Sequence, residues 1–186
     1  MESRIELIQQ AFNGADDHLG TVERNTEIKV VYLMLWELGW HPIREIGSCF
    51  QIDKNSVTPP ADAALAADYV LRKDEDLCAV GEVKYWKIGS RGSKEWPKAV
   101  AQARQYQAAL GVPWAFITCG HRWTILDDQG RDAYDFEAKE NNVESLLKDL
   151  RPVLGRDAIK IKSPLFSSSR LWSYGICPNP SSRHRK

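Results

Sequence analysis

The chain has no surplus of charge, no metal-spaced cysteines and no hydrophobic run long enough for a bilayer. Its 25 basic residues balance 25 acidic ones, so net charge gives no attraction to a polyanion. Cys49, Cys78, Cys119 and Cys177 lack the paired spacing of a zinc site. Three of them stand in apolar, strand-like surroundings, which predicts reduced, buried thiols. His18, His41, His121 and His184 show neither HxxxH nor HExxH spacing, which argues against a zinc hydrolase. There is no GxxxxGK[ST] loop and hence no sign of an ATP motor. No apolar stretch approaches the roughly 18 residues of a membrane span. The opening MESRIELIQQ is charged and amphipathic, unlike a signal-peptide core. These absences predict a soluble, cytoplasmic protein without a membrane partner.

A chain of 186 residues, 43% of them apolar, suffices for one domain with a real core. The expected division is a single domain over 1–155 and a basic, Ser/Pro-rich extension over 156–186. Charge is unevenly spread. Lys84, Lys87, Arg91, Lys94, Lys98 and Arg104 share their stretch with the single acid Glu95, and the extension is also basic. The stretch from Asp127 to Asp149 is acidic. A polyanion would find basic surface near Lys84 and along the tail, although such runs are also ordinary solvated faces. Trp86 and Trp96 flank the basic loop, where they could touch a nucleic-acid strand; tryptophans at element ends also serve as packing.

Hydrophobic periodicity predicts a short amphipathic helix over Glu2 to Phe12. A buried helix follows, capped at Asn25 or Thr26 and stopped by Gly39. A strand is expected over Ile43 to Ile52. Ala66 to Leu71 and Leu77 to Val83 read as a hairpin with the turn Arg72 to Asp76, and Tyr85 to Glu95 as a polar loop. Pro97 suits the first turn of a helix that ends at Gly111. Strands over Trp114 to Thr118 and Trp123 to Leu126, then a helix over Asn141 to Leu150, complete an α/β sandwich around one mixed sheet.

The hairpin carries the chemistry. Glu82 and Lys84 are two residues apart and share a strand face, with Val83 directed to the opposite layer. Apolar residues precede them, so the strand reads as central, where adjacent charges need a reason. Gly81 lets another group approach the backbone. Asp68 is a third ionisable group in a buried context. An aspartate, a glutamate and a lysine at one sheet edge suffice to hold Mg²⁺ against a phosphodiester and polarise a water; an ion-paired core gives the same pattern. Glu27 stands in the first turn of the buried helix, where a carboxylate also serves as a dipole partner. Gln102 and Tyr106 are one helical turn apart on a shared face.

Taken in order, these elements resemble the PD-(D/E)xK nuclease superfamily, and within it the N-terminal nuclease domain of type I restriction-enzyme restriction subunits. The matching pieces are Asn25-Thr26-Glu27, Asp68 in ADYVL, Glu82-Val83-Lys84, and Gln102 to Tyr106 as a QxxxY helix. The strand pair around Trp114 to Gly120 and Trp123 extends the likeness over Thr21 to Asp127. Ala67 stands where the motif's name has proline. The resemblance implies a restriction-endonuclease-like three-layer sandwich and a Mg²⁺- or Mn²⁺-dependent DNA endonuclease of restriction, defence or phage origin. It implies that Asp68, Glu82 and the Val83 carbonyl ligate the metal and that Lys84 orients the attacking water. Glu27 would add a metal contact or support one, and Gln102 and Tyr106 would support the site. Lys87, Arg91, Lys94, Lys98 and Arg104 would meet the nucleic-acid backbone. The expected partners are DNA and either a second copy of the chain or a separate motor or specificity subunit. The competing expectation is a catalytically silent nucleic-acid-binding or assembly module on the same fold; action on RNA or branched DNA is a third.

Overall fold

A computed structural model of the chain describes residues 2–14, 23–52, 65–89, 93–139 and 142–159. Arg91, Cys177 and everything after residue 159 lie outside the described residues, and so do the whole loop expected over Asp53 to Ala61 and nearly all of the expected extension. Helix α1 (Arg4–Asn13) is set by a capping box: Ser3 Oγ accepts the Glu6 N–H at 3.2 Å and Glu6 Oε2 accepts the Ser3 N–H at 2.6 Å. Ile8 and Phe12 are its buried residues.

Helix α2 runs as three consecutive turns, α-helical over Glu23–Thr26, π-helical over Glu27–Val31 and α-helical over Tyr32–Glu37. Asn25 and Thr26, expected as caps, lie inside it. Thr26 is fully buried and its hydroxyl has no hydrogen-bond partner among the described residues. The π-turn lets Glu27 O accept the Tyr32 N–H, and the same carbonyl also accepts the Tyr69 hydroxyl at 3.2 Å. Gly39, at φ +97°, ends the helical run as expected.

Strand β1 (Ile46–Ile52) begins three residues later than expected, because 42–45 form a turn and Ile43 is exposed. It pairs antiparallel with β2 (Leu65–Lys73), which pairs antiparallel with β3 (Asp76–Val83). The hairpin turn is two residues, Asp74 and Glu75, both at positive φ. Arg72 and Lys73 pair with Leu77 and Asp76, so they belong to the ladder and not to the expected five-residue turn. Within the expected loop, Trp86–Gly89 form a 3₁₀ turn.

Helix α3 (Trp96–Leu110) crosses over to β4 (Trp114–Thr118), the parallel neighbour of β3. Strands β5 (Arg122–Leu126) and β6 (Asp132–Glu137) add antiparallel, giving a six-stranded mixed sheet in the order β1-β2-β3-β4-β5-β6. β6 falls in the acidic stretch that sequence periodicity passed over. Helix α4 (Val143–Leu154) continues past Leu150, since Leu154 is buried against the core despite Pro152 in its last turn.

The sheet has a core on each face, which is the expected α/β sandwich. One core gathers Ile8, Val31, Met34, Trp40, Phe116, Trp123 and Leu150 from α1, α2, α4 and the strands. The other gathers Val80, Val100, Ala103, Tyr106, Ala115 and Ile117 under α3. Gly81 is obligatory between them: a Cβ there would lie 2.1 Å from the Phe116 ring. The group that approaches its backbone is thus the neighbouring strand's own side chain. Trp40 ties the folded ends together, its indole N–H donating to Leu154 O at 2.9 Å. Residues 156–159 pack on this body, with Arg156 Nε 2.7 Å from Glu45 Oε1 and Lys73 Nζ donating to the carbonyls of Arg156 and Ile159. Among the described residues no helix is long and apolar enough to cross a membrane.

Candidate active site

The β2–β3 backbone ladder runs from the hairpin as far as Tyr69 and Gly81. One step further a side chain takes over from the backbone: Asp68 Oδ2 accepts the Val83 N–H at 2.7 Å. On its other side β3 stays paired with β4 as far as Val83 and Thr118, and the Lys84 N–H donates to Thr118 O at 2.8 Å. The strand end that carries Glu82 is therefore held by β4 on one side and by Asp68 on the other. Val83 joins the core on the α1/α2/α4 face while Val80 joins the core under α3, the alternation expected of a strand.

Glu82 is only 2% exposed. Its Oε1 accepts from Lys84 Nζ at 2.5 Å, and its Oε2 is buried with no hydrogen-bond partner among the described residues. Burial pushes the Glu82 carboxyl well above the ordinary carboxylate range, and the nearby Asp68 charge pushes the same way, with Lys84 opposing. Burial likewise raises Asp68; the Val83 N–H and Lys84 oppose it, and Glu23 and Glu27 reinforce it. For Lys84, burial works against the ammonium, but Glu82, Glu23 and Asp68 together outweigh it and the group is held charged. One lysine faces two acids, Asp68 and Glu82, with Glu23 at the more exposed side. The carboxylates are left with negative charge they cannot hold cheaply, which a cation would offset.

Among the described residues no group of three or more His, Cys, Asp or Glu side chains is arranged to hold a metal. Two oxygen-donor side chains and an unpartnered carboxylate oxygen suit Mg²⁺, which is commonly held by one or two carboxylates and keeps several waters. They do not suit a zinc site or an all-protein calcium cage.

Helix α3 forms the wall above this pair. Gln102 Nε2 donates to Tyr106 Oη at 2.5 Å, and the buried Tyr106 hydroxyl senses the charges of Glu82, Asp68 and Lys84. The two residues therefore act as one unit beside the acids. Glu27 lies on α2 and is buried. Its carboxylate is taken by Arg24, Nη1 to Oε2 at 2.6 Å, and it reaches Asp68 only as a weak through-space charge. The acid on α2 that does reach the cluster is Glu23, whose Oε2 lies 3.5 Å from Lys84 Nζ. Sequence reading missed it because the helix was capped at Asn25 or Thr26, whereas Glu23 is already helical; its i,i+4 spacing to Glu27 was the available signal.

The basic residues divide. Lys87 and Lys94 are exposed. Lys98 pairs with Glu95 at 2.8 Å. Arg104 is fixed to the β5–β6 turn, donating to Gly130 O and Asp132 Oδ1 at 2.6 Å each. Trp86 and Trp96 are both buried, which fits the packing role that sequence offered for them and not contact with a nucleic-acid strand. Trp86 packs edge-on against Phe12 and beside His121, and the Trp96 indole N–H donates to Thr124 Oγ1. Cys78 and Cys119 are buried thiols, pushed by that burial up to about 11 and about 12.

No family model matches the chain, and no curated protein matches it. Among solved structures it is similar to a fragment assigned to an HsdR subunit of a type I restriction enzyme from Vibrio vulnificus YJ016. The identity is 23% and the TM-score 0.46, over 69% of this chain and 25% of that one. The chain thus spans a quarter of that structure's length, and a likeness at this level assigns neither family nor activity.

Proposed function

We propose that the chain is a divalent-metal-dependent nuclease of the PD-(D/E)xK kind that hydrolyses phosphodiester bonds in DNA, in a restriction, defence or phage setting. The observation that carries this reading is the convergence of Asp68, Glu82 and Lys84 where β2 and β3 part, with one Glu82 oxygen buried and unpartnered. Asp68, Glu82 and the Val83 carbonyl would hold Mg²⁺ or Mn²⁺. When bound, such an ion supplies Lewis acidity and lowers the pKa of water. Lys84 brings a mobile ammonium to the same edge, where it hydrogen-bonds the attacking water and balances charge on the scissile phosphate. Gln102 and Tyr106 keep that edge in shape, and Lys87, Arg91 and Lys94 supply cations for the backbone of the nucleic acid. A single such site cuts one strand, so cutting both calls for a second copy or a second binding event.

A silent binding or assembly module is the second reading. It is favoured by the Lys84–Glu82 ion pair, which already neutralises one carboxylate. The test is incubation of supercoiled plasmid with the protein and Mg²⁺ or Mn²⁺, beside Asp68→Ala and Lys84→Ala. Nicking by the wild type and not by the variants supports the nuclease. Identical behaviour of all three removes it.

A further inference from the structure

Lys84 has two carboxylate partners, and only one belongs to the ExK motif. Glu82 Oε1 is 2.5 Å from its Nζ, and Glu23 Oε2, from the first described turn of α2, is 3.5 Å away. We propose that Glu23 is a positioning residue for Lys84, holding the ammonium at the site when Glu82 is engaged by a cation. This rests on the nuclease reading above.

The other acids of the cluster are committed elsewhere. Asp68 already accepts the Val83 N–H, and the Glu27 carboxylate is bound to Arg24. Once Glu82 shares its charge with a divalent ion, its hold on Lys84 weakens, and the ion repels the ammonium. A lysine on a four-carbon stem with three rotatable donors swings away unless a second anion retains it. Glu23 is the acid in reach. Its side chain is 42% exposed while Lys84 is 18% exposed, so Glu23 is not there to fill the core, and its ion pair among the described residues is with Lys84. Its carboxylate stands at the solvent side of an otherwise buried charge cluster, where it can follow the ammonium as the site loads.

The test compares full-length wild type, Glu23→Gln and, as a remote control, Glu144→Gln. In plasmid nicking, Glu23→Gln is expected to lose about tenfold or more in kcat. KM for DNA, the Mg²⁺ requirement and the thermal midpoint are expected to stay unchanged. A general repulsion of DNA by Glu23 would instead lower KM and leave kcat intact, and a metal-ligand role would raise the Mg²⁺ requirement; either result overturns the proposal. The second readout needs no activity. Zero-length carbodiimide coupling, followed by peptide mass spectrometry, is expected to give a Glu23–Lys84 amide that persists when Mg²⁺ is added, while the Glu82–Lys84 amide declines. Loss of the Glu23–Lys84 product on adding Mg²⁺ contradicts the retention claimed here. Wild type that fails to nick with either ion removes the nuclease reading and the positioning role with it. Active wild type with an unaltered Glu23→Gln removes the positioning role alone.

Discussion

Replacing Glu82 by glutamine is expected to stabilise the metal-free protein. The substitution keeps the shape and an oxygen that can accept from Lys84, and removes a charge that is 2% exposed, with one oxygen unpartnered. The Glu82 carboxyl is held above its ordinary value of 4.5 despite the lysine beside it, so the ionised form costs the folded state more than the ion pair returns. Each pKa unit corresponds to about 1.4 kcal/mol. A gain of about 1–3 kcal/mol at pH 8 follows, at roughly 2–4 °C per kcal/mol for a chain of this size.

The sign with pH is definite. Between the ordinary and the raised value the folded protein keeps a proton that the unfolded chain has lost, so wild-type stability falls as pH rises through that window. The advantage of Glu82→Gln is therefore absent near pH 4 and grows with pH until the raised value of about 8 is passed. Added Mg²⁺ is expected to stabilise the wild type by about 1.4 kcal/mol at ten times its Kd, increasingly as pH rises, and the variant much less. Urea unfolding from pH 4.5 to 8.5, with chelator or with Mg²⁺, measures all of this. If Glu82→Gln loses more than about 1 kcal/mol at pH 8 without metal, Glu82 is a satisfied core ion pair and the reasoning fails.

Asp68→Ala leaves the Val83 N–H without its acceptor and is expected to cost about 1–3 kcal/mol in the same unfolding assay. Asp68→Asn keeps an acceptor oxygen and most of that stability, while both variants lose nicking. Gly81→Ala drives a methyl into the Phe116 ring and is expected to lose about 1–3 kcal/mol by overpacking, with partial recovery when Phe116→Leu is added. Removing Lys87, Arg91 and Lys94 together should reduce the salt slope of DNA binding by about 2.7, or 0.9 per phosphate contact. Arg104→Ala should leave that slope nearly unchanged, because Asp132 already holds its guanidinium.

What was legible in the sequence was what local periodicity encodes. The β2–β3 hairpin, α3 between Pro97 and Gly111, and the β4–β5 pair each have a clean apolar pattern and a turn residue at the end, and they lie where expected. The meeting of Asp68, Glu82 and Lys84 followed from that pairing alone. β6 was missed because an edge strand exposes most of its residues, and DAYDFE reads as an acidic loop. The start of α2 was misplaced because Asn25 and Thr26 look like caps, and that error hid Glu23. The particular partners of Arg104, Trp86 and Trp96 were not legible in the sequence. Their partners, Gly130 and Asp132, Phe12 and His121, and Thr124, are distant in sequence, and no window of local composition contains them.

The central claim is that Asp68 and Glu82 together hold a divalent ion beside Lys84. A crystal soaked in Mn²⁺ tests it by anomalous scattering at the manganese edge. The expected result is a peak between Asp68 and Glu82 that is missing from Glu82→Gln crystals treated alike. A soaked crystal with no peak there, and with Lys84 still closed on Glu82, would contradict the claim.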